Sequence, residues 1–204
     1  MLREIRILSI AGLEVRSEGD SKSIRGYAAK FDVLSENLGG FREQIKPGAF
    51  ADVLDNDVRA LVNHDPNLIL GRNKSGTLDI GQDETGLWYE AKLPDTQAAR
   101  DLAQSISRGD INQSSFAFSV ASGGQDWSED DDGRIIRTIT KFSRLYDVSA
   151  VTYPAYPDAT VGMRGLDGGN EAMAEYRKAR DARAYEARKR QERSRFIRLK
   201  ASHQ

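Results

Sequence analysis

The sequence predicts an α+β protein, mostly β, that ends in a long charged helix. Three observations lead there. Residues 1–165 break into short apolar runs separated by Gly, Asn and Asp turn signals. One internal segment, Ala98–Ile106, switches to helical spacing. From Glu171 to Lys200 there is neither Gly nor Pro, and Ala and Arg dominate.

Taken in order, Ile24–Phe31 reads as a strand, followed by a turn near Asn37–Gly40. Phe41–Ile45 starts and ends on apolar residues, as an edge strand would. Pro47 suits the first turn of a short helix running from Lys46 toward Leu54. Val58–Asn63 and Leu68–Gly71 are short apolar strands. Gly76–Ile80 and Leu87–Ala91 form a hairpin across the polar turn Asp83–Gly86. Asp95 or Thr96 caps the helix that follows, whose apolar positions are 98, 99, 102, 103 and 106, and Gly109 ends it. Ser114–Ala121, Ile135–Phe142 and Leu145–Tyr153 are three more strands, with Asp126–Gly133 as an acidic hairpin loop. The total is about eight strands and at least two helices, an α+β body.

Residues 167–170 mark a break, so the chain divides into a body, 1–166, and a tail, 167–204. Charge divides the same way. Residues 171–204 carry eleven Lys/Arg against five Asp/Glu; residues 1–170 carry nineteen against twenty-six. The tail's apolar residues are too sparse for a continuous seam, so it is not expected to pack into the core; a solvated arm, a partner-binding helix and a nucleic-acid contact are the readings it leaves open. Its acidic residues are interleaved with the basic ones and its aromatics are few, which argues against nucleic-acid binding.

The composition also excludes chemistry. With no cysteine there is no disulfide, thiolate zinc site or cysteine nucleophile. One of the two histidines, His203, is the second-last residue, so His64 alone could serve a metal or proton chemistry in the body. No metal or cofactor is expected; the Glu129–Asp132 run lacks the spacing of a dedicated calcium loop. No run approaches the roughly 18 apolar residues of a membrane span, and the charged N-terminus does not suit a signal peptide. A soluble, intracellular protein is expected.

What could His64 activate? In Gln113–Val120 strand alternation puts Ser114, Phe116, Phe118 and Val120 on one face, and Ser115, Ala117 and Ser119 on the other. The aromatic face belongs in the core, so Ser115 is the hydroxyl expected to face outward. Asp147 interrupts an apolar-rich strand, and a carboxylate there needs a partner. Two readings stand. Asp147 pairs with Arg144 or Lys141 as an ordinary ion pair, and the serines are structural. Alternatively, His64, Ser115 and Asp147 form a base, nucleophile and orienting acid. Imidazole, with an unperturbed pKa of about 6.5, would take the serine proton and return it to the leaving amine. Asp65, next to Pro66, fits a turn role better than a second orienting acid.

Several stretches together resemble one family. They are Gln44–Phe50, Leu61–Asp65, Leu70–Arg72 with Gly76–Leu78, Gly86–Pro94, Gly109–Phe118 and Asp147–Tyr156. In this order and spacing they are similar to the prohead maturation proteases of tailed bacteriophages, over residues 20–165. The resemblance implies kinship to the herpesvirus assemblins and hence a β-barrel flanked by helices. It implies a serine endopeptidase that works in the host cytoplasm, inside the immature capsid. Its partners would be capsid and scaffold proteins: it would cleave scaffold, or a scaffold-like extension of the capsid protein, and in many members itself. The C-terminal helix would then be a removable targeting or scaffold-contact element. By motif, His64, Ser115 and Asp147 take the catalytic positions. Two departures stand out. The family's Ser-Phe-Gly-Phe has Ala117 for glycine here, and its usual glutamate is Asp147, one methylene shorter. For the oxyanion, Arg144 and Arg164 are candidates by position alone. A catalytically inactive assembly factor that binds capsid or scaffold is the alternative, and self-association is left open.

Overall fold

The computed structural model describes residues 3–8, 12–19, 21–153 and 167–201. They form two compact units, Met1–Gly168 and Gly169–Gln204.

The first unit is built from twelve strands among the described residues: β1 (Glu4–Leu8), β2 (Glu14–Glu18), β3 (Ser21–Lys30), β4 (Phe41–Ile45), β5 (Arg59–Val62), β6 (Asp65–Arg72), β7 (Leu78–Gln82), β8 (Gly86–Lys92), β9 (Gln113–Val120), β10 (Gln125–Glu129), β11 (Ile135–Ile139) and β12 (Phe142–Val151). They lie in three sheets with orders β1-β9-β12-β5-β6, β10-β11-β4 and β2-β3-β8-β7. These sheets are open, so the expected barrel does not form among the described residues. In the five-stranded sheet, β1 and β6 remain as edges.

The helix α1 (Gln97–Arg108) starts where its cap signals place it. The Thr96 hydroxyl accepts from Ala99 N, and Gly109, at φ 83°, closes the end. Its Ala99, Leu102 and Ile106 enter the core with Phe50, Phe116, Phe118 and Phe142. The Phe50 and Phe142 rings stack at 4.4 Å, and Phe116 and Phe118 at 4.8 Å. Each such buried ring contributes about 1.5–3 kcal/mol. The expected helix after Lys46 is instead a run of turns. Its bonds are of the i to i+3 type, Gly48 is left-handed at φ 85°, and the Ala49 carbonyl is taken by Phe142 N.

β1 and β10 were hidden by their charges. β1 is fastened by a buried ionic cluster. Arg137 Nη1 donates to Glu4 Oε2 at 2.6 Å and to Glu43 Oε2 at 2.8 Å; Arg6 Nε donates to Glu43 Oε1 at 2.8 Å. All four residues are buried, so β1, β4 and β11 are clamped together through charges rather than apolar contact. β10 takes Asp126–Glu129 out of the expected loop and pairs them with β11.

The second unit is formed, from Gly169 onward, by the helix α2 (Asp167–Ala201). It begins inside the expected break. Gly168 and Gly169 lie in its first turn, where amide groups have no intrahelical partner to lose. Its described side chains are largely exposed, as a sparse apolar pattern requires.

Candidate active site

β9, β12 and β5 are adjacent, and each supplies or positions one of the three residues singled out. β12 runs antiparallel to β9, placing Ser149 opposite Ser115 and Asp147 opposite Ala117. It runs parallel to β5, placing Val62 beside Ala150. The chain then turns over in two residues, since Val62 pairs with Asp65. Asn63 and His64 are both left-handed, at φ 50° and 58°, the backbone a two-residue hairpin needs. Neither is glycine, so the turn is held from outside. Asn63 N donates to Ala150 O at 2.9 Å, its Nδ2 donates to Thr152 Oγ1 at 3.0 Å, and Thr152 N returns a bond to its Oδ1 at 2.9 Å.

The imidazole of His64 consequently lies between a carboxylate and a hydroxyl. Its Nδ1 is 2.5 Å from Asp147 Oδ1, and its Nε2 is 2.6 Å from Ser115 Oγ. Asp147, being ionised, accepts; Nδ1 therefore carries the proton and Nε2 offers a lone pair to the hydroxyl. The shorter aspartate reaches the ring although its backbone pairs with Arg59, at the end of β5 away from the His64 turn. Asp147 is buried, which pushes its pKa up. The hydrogen bonds from His64 and Ser149 and the charge of Arg3 outweigh this and hold it below the ordinary aspartate range. Arg3 Nη2 meets the second oxygen, Oδ2, at 2.7 Å. The Ser115 hydroxyl also points to the Arg6 carbonyl of β1, 2.8 Å away. A hydroxyl has one proton, so His64 and Arg6 compete for it.

The remaining candidates fall elsewhere. Ser114 is on the opposite face, its Oγ 2.9 Å from the hydroxyl of Tyr89, whose pKa is pushed up to about 12 by burial. Asp65 Oδ1 accepts from Asn67 N and Nδ2, both at 2.9 Å, a turn role. Lys141 pairs with Asp52. Arg144 is exposed, its guanidinium 4.9 Å from the centroid of the Tyr146 ring. Arg164 lies outside the described residues. One expectation is corrected: Ser115 does not face outward but is fully buried, because β9 is a central strand covered on both faces. Among the described residues no cluster of three His, Cys, Asp or Glu could hold a metal ion. None of the described helices is long and apolar enough to cross a membrane.

Sequence reasoning missed Arg3 and Ser149. Arg3 belongs to a segment too charged to read as a strand. Ser149, however, sits two residues from Asp147 on the same strand face, and that alternation was visible.

No curated protein matches the chain. A solved structure of the bacteriophage T4 capsid assembly protease, gp21, aligns with a TM-score of 0.48 and 14% identity, covering 74% of this chain and 99% of that one. The family model described as Caudovirus prohead serine protease matches residues 11–172, most of the chain, and this protein therefore belongs to that family.

Proposed function

We propose that the protein is a serine endopeptidase of capsid maturation in which Ser115 is the nucleophile, His64 the general base and Asp147 the orienting acid. The observation that carries this reading is the single imidazole within 2.6 Å of one oxygen and 2.5 Å of the other. Ser115 Oγ attacks the scissile carbonyl carbon as its proton passes to Nε2. The imidazolium, steadied by the Asp147 carboxylate, gives that proton to the leaving amine as the C–N bond breaks. Water, deprotonated by the same nitrogen, then hydrolyses the acyl-enzyme. The substrates are scaffold protein or a scaffold-like extension of the capsid protein, with self-cleavage as a further event. The reaction takes place within the immature capsid in the host cytoplasm. The catalytic unit is residues 1–166; the basic tail, 167–204, is a docking element that self-cleavage can remove.

Co-expression with the cognate capsid protein, followed by intact mass of both chains, tests the reading. Wild type gives shortened products, whereas Ser115→Ala gives none and melts at the wild-type temperature. Undiminished processing by that variant overturns the nucleophile. An inactive binding factor would give no processing with either protein and no labelling of Ser115 by a fluorophosphonate.

A further inference from the structure

Ser149 stands among Val148, Ala150 and Val151 and is completely buried. A hydroxyl in such a place costs stability unless it is bonded. Its Oγ meets three atoms, all from the site. It accepts from His64 N at 3.2 Å, donates to Asp147 Oδ1 at 3.0 Å, and lies 3.3 Å from His64 Nδ1. One proton and two lone pairs are thereby accounted for.

The position of these contacts is what matters. His64 sits in the second left-handed position of a hairpin tip. The bonds of Asn63 to Ala150 and Thr152 hold the first residue of that turn. The Ser149 bond holds the second, the residue that carries the imidazole. The same hydroxyl fixes the carboxylate oxygen toward which Nδ1 points. Backbone and ring partner are thus set by one atom on a rigid strand. A site with short contacts on both ring nitrogens has little tolerance for drift.

We propose that Ser149 is a positioning residue for the reaction, one that locks the His64 backbone and the Asp147 carboxylate in a shared geometry. This rests on the assignment of Ser115, His64 and Asp147 above. It adds a fourth side chain, one that touches neither the substrate nor the proton in transfer.

The test is the rate at which a fluorophosphonate labels Ser115, measured by intact mass across pH 5–9 on the full chain. Ser149→Ala should lower the rate about tenfold near neutral pH. It should also change the shape of the pH profile, because Ser149 Oγ touches both the Asp147 carboxylate and His64. A loss of fold quality alone would lower the rate by one factor at every pH. In an Asp147→Asn background the same change should cost less than it does in the wild type, because the part of its effect that runs through that carboxylate is already gone while the bond to His64 N remains. Ser149→Cys fills the same space with a poor donor, and gives the same readout should the alanine variant not fold. An unlabelled wild type removes the triad and Ser149 together. A labelled wild type, with either variant matching its rate and profile within twofold, removes Ser149 alone.

Discussion

Asp147→Asn conserves shape and removes one charge, and the surroundings dictate how the new amide must turn. If its oxygen faces His64, its NH2 group faces the Arg3 guanidinium, donor against donor. If the amide rotates, the oxygen keeps the Arg3 bond and the NH2 faces His64 Nδ1. That second orientation retains a charge-assisted bond, worth about 1.5–3 kcal/mol before screening. Arg3 is 48% exposed, so solvent reduces this to roughly 1.4 kcal/mol, a tenfold bias. The favoured orientation draws the lone pair to Nδ1 and the proton to Nε2, which faces Ser115 and can no longer accept. Stabilisation of the imidazolium by the carboxylate is lost as well. Together these remove roughly a thousand- to ten-thousand-fold of the rate, about 4–5.5 kcal/mol of barrier. The assay is the second-order rate of fluorophosphonate labelling at pH 7. Adding Arg3→Ala to Asp147→Asn should recover about tenfold, because the bias toward the wrong tautomer goes with the guanidinium. Labelling of Asp147→Asn within tenfold of wild type would falsify the proposed roles of Asp147 and Arg3.

Two further predictions concern the fold that carries the site. Arg137→Leu leaves Glu4 and Glu43 sharing Arg6 alone in a buried cluster. It should cost about 3–5 kcal/mol and lower the melting temperature by roughly 6–20 °C, read by circular dichroism; a drop under 3 °C contradicts the importance of the clamp. Acid should loosen the protein at both places. Burial raises the Glu4 pKa, but hydrogen bonds and charge from Arg137 and Arg6 lower it further, as the site's own donors do for Asp147. A carboxylate depressed in the folded state stabilises it above the unfolded value and loses that contribution as pH falls through the folded one. Unfolding midpoints in urea should therefore be flat above about pH 5 and fall below about pH 4. A midpoint independent of acid in that window would contradict both assignments.

What was legible in the sequence depended on whether a local pattern carried it. The helix α1 was readable because Thr96, its apolar spacing and Gly109 all agree. The choice of Ser115 over Ser114 followed from alternation, and the two hydroxyls do sit on opposite faces. The exposure of Ser115 was misjudged because alternation tells which residues share a face, not what covers it. β1 was missed because Glu4 and Arg6 look like solvated charges. Their partners, Glu43 and Arg137, are far away in sequence and cancel them in the interior. The supposed helix at Lys46–Leu54 failed because Gly48 turns left-handed between its apolar residues. Sheet closure is a property of many long-range pairings at once, so the barrel could only be borrowed from a resemblance.

The order of strands has a consequence for when the protein can act. Among the described residues β12 is the last strand of the body, yet it lies in the middle of its sheet, with β9 on one side and β5 on the other. The earlier strands, however well folded, leave a gap where the carboxylate and its neighbouring hydroxyl belong. Contacts this distant in sequence form late and together. A chain still being synthesised therefore lacks the strand that lies between its serine strand and its histidine hairpin until position 151 is in place, and on the proposed assignment half-finished copies would be inactive.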